Sequence, residues 1–165
     1  MAFSTTKRLF SACTNRALVY SHNGDPCKVL TSVCYPTLPA PAPNTLNIQF
    51  ILTPINPADL NVIEGVYPLK PSQCDSLTPS GRGSRNSPVF LAGNEGLARV
   101  TEVGSGVDSL DKNDWVVMNA QHAGTWCTNK NVGIADVIKV PRAPGLTKVH
   151  GATMTVSTIL LLIRR

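Results

Sequence analysis

The side chains able to do acid–base or ligand chemistry are few and dispersed. Tyr67 lies in Gly65-Val66-Tyr67-Pro68. A phenol with its ordinary pKa of ~10 stays protonated at neutral pH and can donate a proton. The competing reading makes Tyr67 an aromatic loop residue that lids the core. Asn56 precedes Pro57, a pair that suits a helix N-cap and first-turn position. Asp59 has no second carboxylate spaced to work with it, so it reads as a partner for loop N–H groups. His22, His122 and His150 are scattered and read as surface or satisfied core histidines. The five cysteines (Cys13, Cys27, Cys34, Cys74, Cys127) include no C-x-x-C pair. A zinc knuckle or redox dithiol is therefore unsupported, a disulfide framework is disfavoured, and the thiols read as buried or idle. Gly81-Arg82-Gly83 and Gly104-Ser105-Gly106 each lack the third glycine of a dinucleotide fingerprint. The second also leads into another strand instead of a helix, so both read as turns.

These residues need a scaffold, and the composition points to a β-rich one. Hydrophobic residues make up 42% and charged residues 15% of the 165, with 13 prolines and 12 glycines, which favours many turns over long helices. Ala17 to Tyr20 reads as a strand, Asn23 to Pro26 as a turn, and Lys28 to Cys34 as a second strand. Pro36 to Pro43 is an extended connector. Leu46, Ile48, Phe50 and Leu52 alternate with Asn47, Gln49 and Ile51, the period of a half-buried strand over Thr45 to Thr53. A short helix follows Asn56, with Leu60 and Ile63 expected on the core and Gly65 as its stop. Residues 72–88 are rich in Ser, Gly, Arg, Asn and Pro and read as a mobile surface loop. Strands are expected at Leu97 to Val103, Trp115 to Met118 and Val137 to Val140, and a helical pattern begins at Gly151 and runs to Ile163. The sum is a mainly β, compact, partly open β-barrel with one short helix.

The formal net charge is +5. Lys7, Arg8, Arg16, Arg164 and Arg165 account for all of it, since Ala17 to Ile163 holds 10 basic and 10 acidic residues. A neutral body without a cationic stripe argues against nucleic acid as a partner. Residues 1–16 carry three cations, hydroxyls and no acid, the composition of a mitochondrial transit segment; an ordinary frayed terminus is the other reading. The apolar-rich stretch Thr155 to Ile163 reaches only about half the ~20 residues of a membrane span, so no membrane partner is expected.

Taken in order, Arg16 to Tyr20, Pro54-Ile55-Asn56-Pro57-Ala58-Asp59-Leu60-Asn61, Gly65 to Pro68, Gly93-Asn94-Glu95-Gly96, Val103 to Val107, Asn113 to Val116 and Gly124-Thr125-Trp126 resemble the medium-chain dehydrogenase/reductase superfamily. More narrowly, they resemble its mitochondrial 2-enoyl thioester reductases. The Gly-Asn-Glu-Gly and Gly-Thr-Trp elements set the chain apart from quinone reductases.

The resemblance implies a GroES-like barrel over 17–145 that forms the substrate side. It implies that 146–165 begins a connection to a Rossmann domain. After Val156 the family continues with Asn-Pro, where this chain has Ser157, so the Rossmann domain is expected to be absent from these 165 residues. The implied activity is NADPH-dependent reduction of trans-2-enoyl thioesters of acyl carrier protein or CoA, in mitochondrial fatty-acid synthesis in the matrix, by homodimers. Tyr67 would be the proton donor, and Asn56 would have a second role near the nicotinamide. Zinc-dependent members carry histidine where Asn94 stands, so no metal is expected. The 165 residues alone are not expected to bind NADPH. The competing readings are a non-catalytic GroES-like module and a quinone reductase.

Overall fold

The computed structural model describes residues 14–67, 71, 73–74, 88–141 and 144–152. Two antiparallel sheets are formed. In the smaller, β1 (Asn15–Tyr20) lies between β2 (Thr31–Tyr35) and β4 (Phe90–Leu91). In the larger, β3 (Thr45–Leu52) pairs with β5 (Leu97–Val103) and with β7 (Asn129–Gly133), while β6 (Trp115–Met118) joins β5 to β8 (Val137–Lys139). Residues 124–128 stitch the sheets together. Leu18 N donates to Trp126 O (2.9 Å), Thr128 N to Arg16 O (2.8 Å) and Phe50 N to Thr128 O (3.0 Å). This is the partly open barrel that the strand pattern implies.

The core follows from the alternation. Leu46, Ile48, Val100 and Val116 are fully buried (0%) and pack with Ala98, Leu110 and Val132. Full burial of each such aliphatic side chain contributes roughly 1.5–3 kcal/mol. Asn47 departs from the expected half-buried pattern, because the proline-rich connector covers it. Its amide donates to Pro39 O (2.7 Å) and to Glu102 Oε2 (3.1 Å), and its Oδ1 accepts from Asn131 Nδ2 (2.9 Å).

Several expectations need correction. The second strand starts at Thr31, not Lys28, because Pro26–Val29 is a helical turn, α1. Asp25 caps it, its side chain accepting from Cys27 N at 3.0 Å, with Pro26 in the first turn. In α2 (Pro57–Glu64) the inward side chains are Asp59, Val62 and Ile63, whereas Leu60 is 38% exposed. Cys34, exposed on β2, is disulfide-bonded and so not idle, whereas Cys27 and Cys127 are free thiols.

Strand β1 begins at Asn15, inside the transit-like segment, the rest of which lies outside the described residues. The loop reading of 72–88 also lies largely outside them; Gln73 bridges to Phe90, and Cys74 N donates to Val89 O (2.7 Å). Helix α3 (Lys148–Ala152) starts before the expected Gly151, and the remainder of that pattern is outside the described residues. No helix among the described residues is long and apolar enough to cross a membrane.

Candidate active site

Helix α2 organises the site from both ends. At its start Asn56 is extended (φ −107°, ψ 155°) and Pro57 occupies the first turn. Asp59, at 2% exposure, closes this turn by accepting from Asn56 N at 2.7 Å. Its other oxygen accepts from Asn94 N at 2.9 Å. The single carboxylate thus ties the helix start to the Gly93–Gly96 loop, the loop-partner role expected of it. The Asn56 amide is also held, donating to Glu95 Oε2 at 2.9 Å.

At the end of α2, Gly65 adopts φ +83°, a left-handed conformation that costs glycine nothing. A Cβ there would stand 2.8 Å from Asn23 Cγ, and that asparagine donates to Val62 O and Ile63 O at 3.0 and 3.1 Å. Val66 N and Tyr67 N then both donate to Asn61 O (3.0 and 3.2 Å). The glycine turn delivers Tyr67 to a fixed place directly after the helix.

The Gly93–Gly96 loop packs on the Gly124-Thr125-Trp126 segment. Gly93 has φ +93°, and a Cβ on it would lie 2.4 Å from Trp126 Cδ1 and 2.5 Å from Thr125 Oγ1. Thr125, fully buried, donates to Glu95 O at 2.8 Å, and Trp126 Nε1 donates to Pro54 O at 3.2 Å. The motifs at 54–61, 65–67, 93–96 and 124–126 therefore form one assembly.

The sequence reading missed one member. His122, φ +57°, stands two residues before Gly124. Its Nδ1 lies 2.9 Å from Asn94 Oδ1, and its ring meets that of Tyr67 edge to face, centroids 5.5 Å apart at 65°. Its Nε2 is buried without a hydrogen-bond partner among the described residues. It is neither a surface histidine nor a satisfied one. Burial holds its pKa below the ordinary 6.5, against the pull of the Asp59 carboxylate. The signal available in sequence was its closeness to the Gly-Thr-Trp motif.

Tyr67 is half-buried and lines a cavity of about 240 Å³ with Tyr20, Val62 and Phe90. His122 lines another of about 390 Å³ with Cys74, Lys130 and Asp136. His22, beside Ser21, also lines the Tyr67 cavity, whereas His150 lies elsewhere, near Thr147.

Among the described residues, the Gly104-Ser105-Gly106 segment is a turn and not a dinucleotide cradle. At Gly104 a Cβ would meet Ala42 O at 2.2 Å, so that turn is closed against the connector, and Gly106 serves a turn with φ +79°. No strand-to-helix glycine cradle exists among them, and no group of three or more His, Cys, Asp or Glu among them is placed to hold a metal.

The fold and this assembly define a GroES-like domain of the medium-chain dehydrogenase/reductase superfamily. No family model matches the chain. A mitochondrial enoyl-[acyl-carrier-protein] reductase of Schizosaccharomyces pombe is 32% identical over 161 residues, covering 94% of this chain and 41% of that protein. The mitochondrial 2-enoyl thioester reductase Etr1p/Etr2p heterodimer from Candida tropicalis superposes with TM-score 0.76 at 36% identity, over 84% of this chain and 39% of the other. The Etr1p complex with NADP and crotonyl-CoA gives TM-score 0.76 at 35% identity, over 84% of this chain and 39% of that one. The chain belongs to the mitochondrial 2-enoyl thioester reductase family and spans about two fifths of the length of these relatives.

Proposed function

We propose that this chain is the substrate-side, proton-donating part of an NADPH-dependent trans-2-enoyl thioester reductase acting on acyl carrier protein or CoA thioesters in the mitochondrial matrix. The observation that carries the reading is the placing of Tyr67 on the assembly formed by Asn56, Asp59, Asn94 and His122. NADPH, when bound, would supply hydride to the β-carbon of the substrate. The electron pair of the double bond then rests on the α-carbon and thioester oxygen as an enolate. The Tyr67 hydroxyl donates its proton to the α-carbon, and the phenolate is reprotonated from solvent. Asn56, whose amide is held by Glu95, would be the residue with a second role near the nicotinamide. Because the described residues form no dinucleotide cradle, the cofactor's binding is not assigned to them, and the 165 residues alone are expected not to bind NADPH. Saturable NADPH binding tighter than about 100 µM (about −5.5 kcal/mol) in a fluorescence titration would contradict that.

The test of the reading is reconstitution. Residues 1–156 are fused to the part of the S. pombe relative that this chain does not span, and turnover of a 2-enoyl-CoA is measured. Tyr67→Phe keeps the ring and removes only the hydroxyl. Turnover should fall roughly 10²–10⁴-fold at equal folded concentration. Activity within threefold of the parent would make Tyr67 a lid.

A further inference from the structure

We infer that His122 is a positioning residue for Tyr67, held in place by Asn94 and, through it, by Asp59. The inference rests on the reading of Tyr67 as the proton donor.

The geometry is a relay of fixed contacts. Asp59 is buried and anchored at the start of α2, where it accepts from Asn56 N. Its second oxygen fixes the backbone of Asn94. The Asn94 side chain takes the Nδ1 edge of His122 at 2.9 Å. The His122 imidazole then meets the Tyr67 ring edge to face, an arrangement that aromatic quadrupoles favour over a loose stack. With Oδ1 of Asn94 as its neighbour, Nδ1 carries the proton and Nε2 keeps the lone pair, the tautomer being set by this bond.

The backbone supports the same reading. A left-handed φ of +57° is rare for a residue other than glycine, and the turn containing it is held from the other side. There Lys130 Nζ donates to Ala123 O and to Gly124 O, the second at 3.5 Å. A half-buried imidazole with one nitrogen unsatisfied is costly as a mere filler. Placed against the donor's ring, it limits the phenol to the orientation that the glycine turn at Gly65 begins to set.

The charged and titratable groups around His122 are Asp59 across the loop and Cys74, Lys130 and Asp136 around its cavity. Glu95 lies behind Asn56.

The test uses the 165-residue chain itself. With ring-labelled tyrosine, the Tyr67 resonance is the one lost in Tyr67→Phe, and the His122 ring is followed in the same pH series. The Tyr67 resonance should shift with the same midpoint as His122, below 6.5. His122→Asn, which tolerates the left-handed backbone, should abolish that inflection. Asn94→Ala leaves the His122 ring present but unanchored. It should displace the Tyr67 resonance as far as His122→Asn does, and the double variant no further. A Tyr67 resonance that stays flat through the His122 midpoint, or is unmoved by Asn94→Ala, would overturn the inference. In the reconstituted reductase, His122→Asn should lower kcat roughly 10- to 100-fold with KM little changed. A reconstituted protein without any turnover would sink the reductase reading yet leave the resonance result to stand by itself.

Discussion

Asp59 and Tyr20 are buried polar groups in opposite circumstances. The Asp59 carboxylate accepts one backbone N–H on each oxygen. In Asp59→Asn one of those N–H groups would face an amide N–H instead of an acceptor. A loss of roughly 1–3 kcal/mol is expected, read from the urea midpoint. Tyr20 is 2% exposed, and its hydroxyl has no partner among the described residues. Tyr20→Phe keeps the ring against Phe90, 5.3 Å away, and removes a buried dipole. The variant should be more stable by about 1 kcal/mol, and a lower midpoint would mean the hydroxyl has a partner. At this scale the sequence was informative where backbone chemistry leaves a signature. Asn56-Pro57 and Gly65 announce a helix start and stop, and Asp59 was legible as a loop anchor. His122 was not, since its role arises from a loop 55 residues beyond Tyr67, and its closeness to Gly124-Thr125-Trp126 does not name the tyrosine it meets.

Among the elements, β3 was legible because its alternation is long enough to see, and α2 because Asn56-Pro57 and Gly65 bracket it. Strand β7 was not. Asn129, Lys130 and Asn131 show no alternation of apolar residues and have poor strand propensity. They extend because β3 offers an edge, with pairs from Thr45–Gly133 to Gln49–Asn129. Strand β4, two residues long, is below any periodicity. Leu60 was misplaced because the helix turns its start toward Asp59, which takes the inward position that a purely apolar count gives to leucine. The close packing of the Gly93–Gly96 loop on Trp126 sets the next expectation. Gly93→Ala meets both a left-handed φ and a Cβ contact of 2.4 Å. Its thermal midpoint should fall by several degrees, corresponding to roughly 2 kcal/mol or more. On β3, Ile48→Ala should cost about 2–5 kcal/mol for a side chain with no exposure.

Over the whole molecule, alkaline pH tests the packing. Burial pushes the phenols of Tyr20 and Tyr35 up to about 12, from 10.0. Between those values the unfolded chain loses these protons before the folded one does. Their contribution is complete below pH 10 and is lost as pH rises toward 12. Stability measured in urea should decline across that window, and Tyr20→Phe should flatten the decline. The barrel architecture itself was readable from the strand count and turns. Its closure was not, because it depends on residues 124–128 lying between two sheets whose strands are far apart in sequence. That segment also sets a timetable. As the chain leaves the ribosome, β1 and β3 emerge early, but β7 and the 124–128 stitch emerge only after more than 70 further residues. Until then the β3 edge that β7 will cover stays open, an invitation to pair with any other strand. A nascent chain stalled before Asn129 should therefore be a poor solitary folder and a good chaperone client, whereas one extended past Lys139 and clear of the exit tunnel has every strand needed to close the barrel.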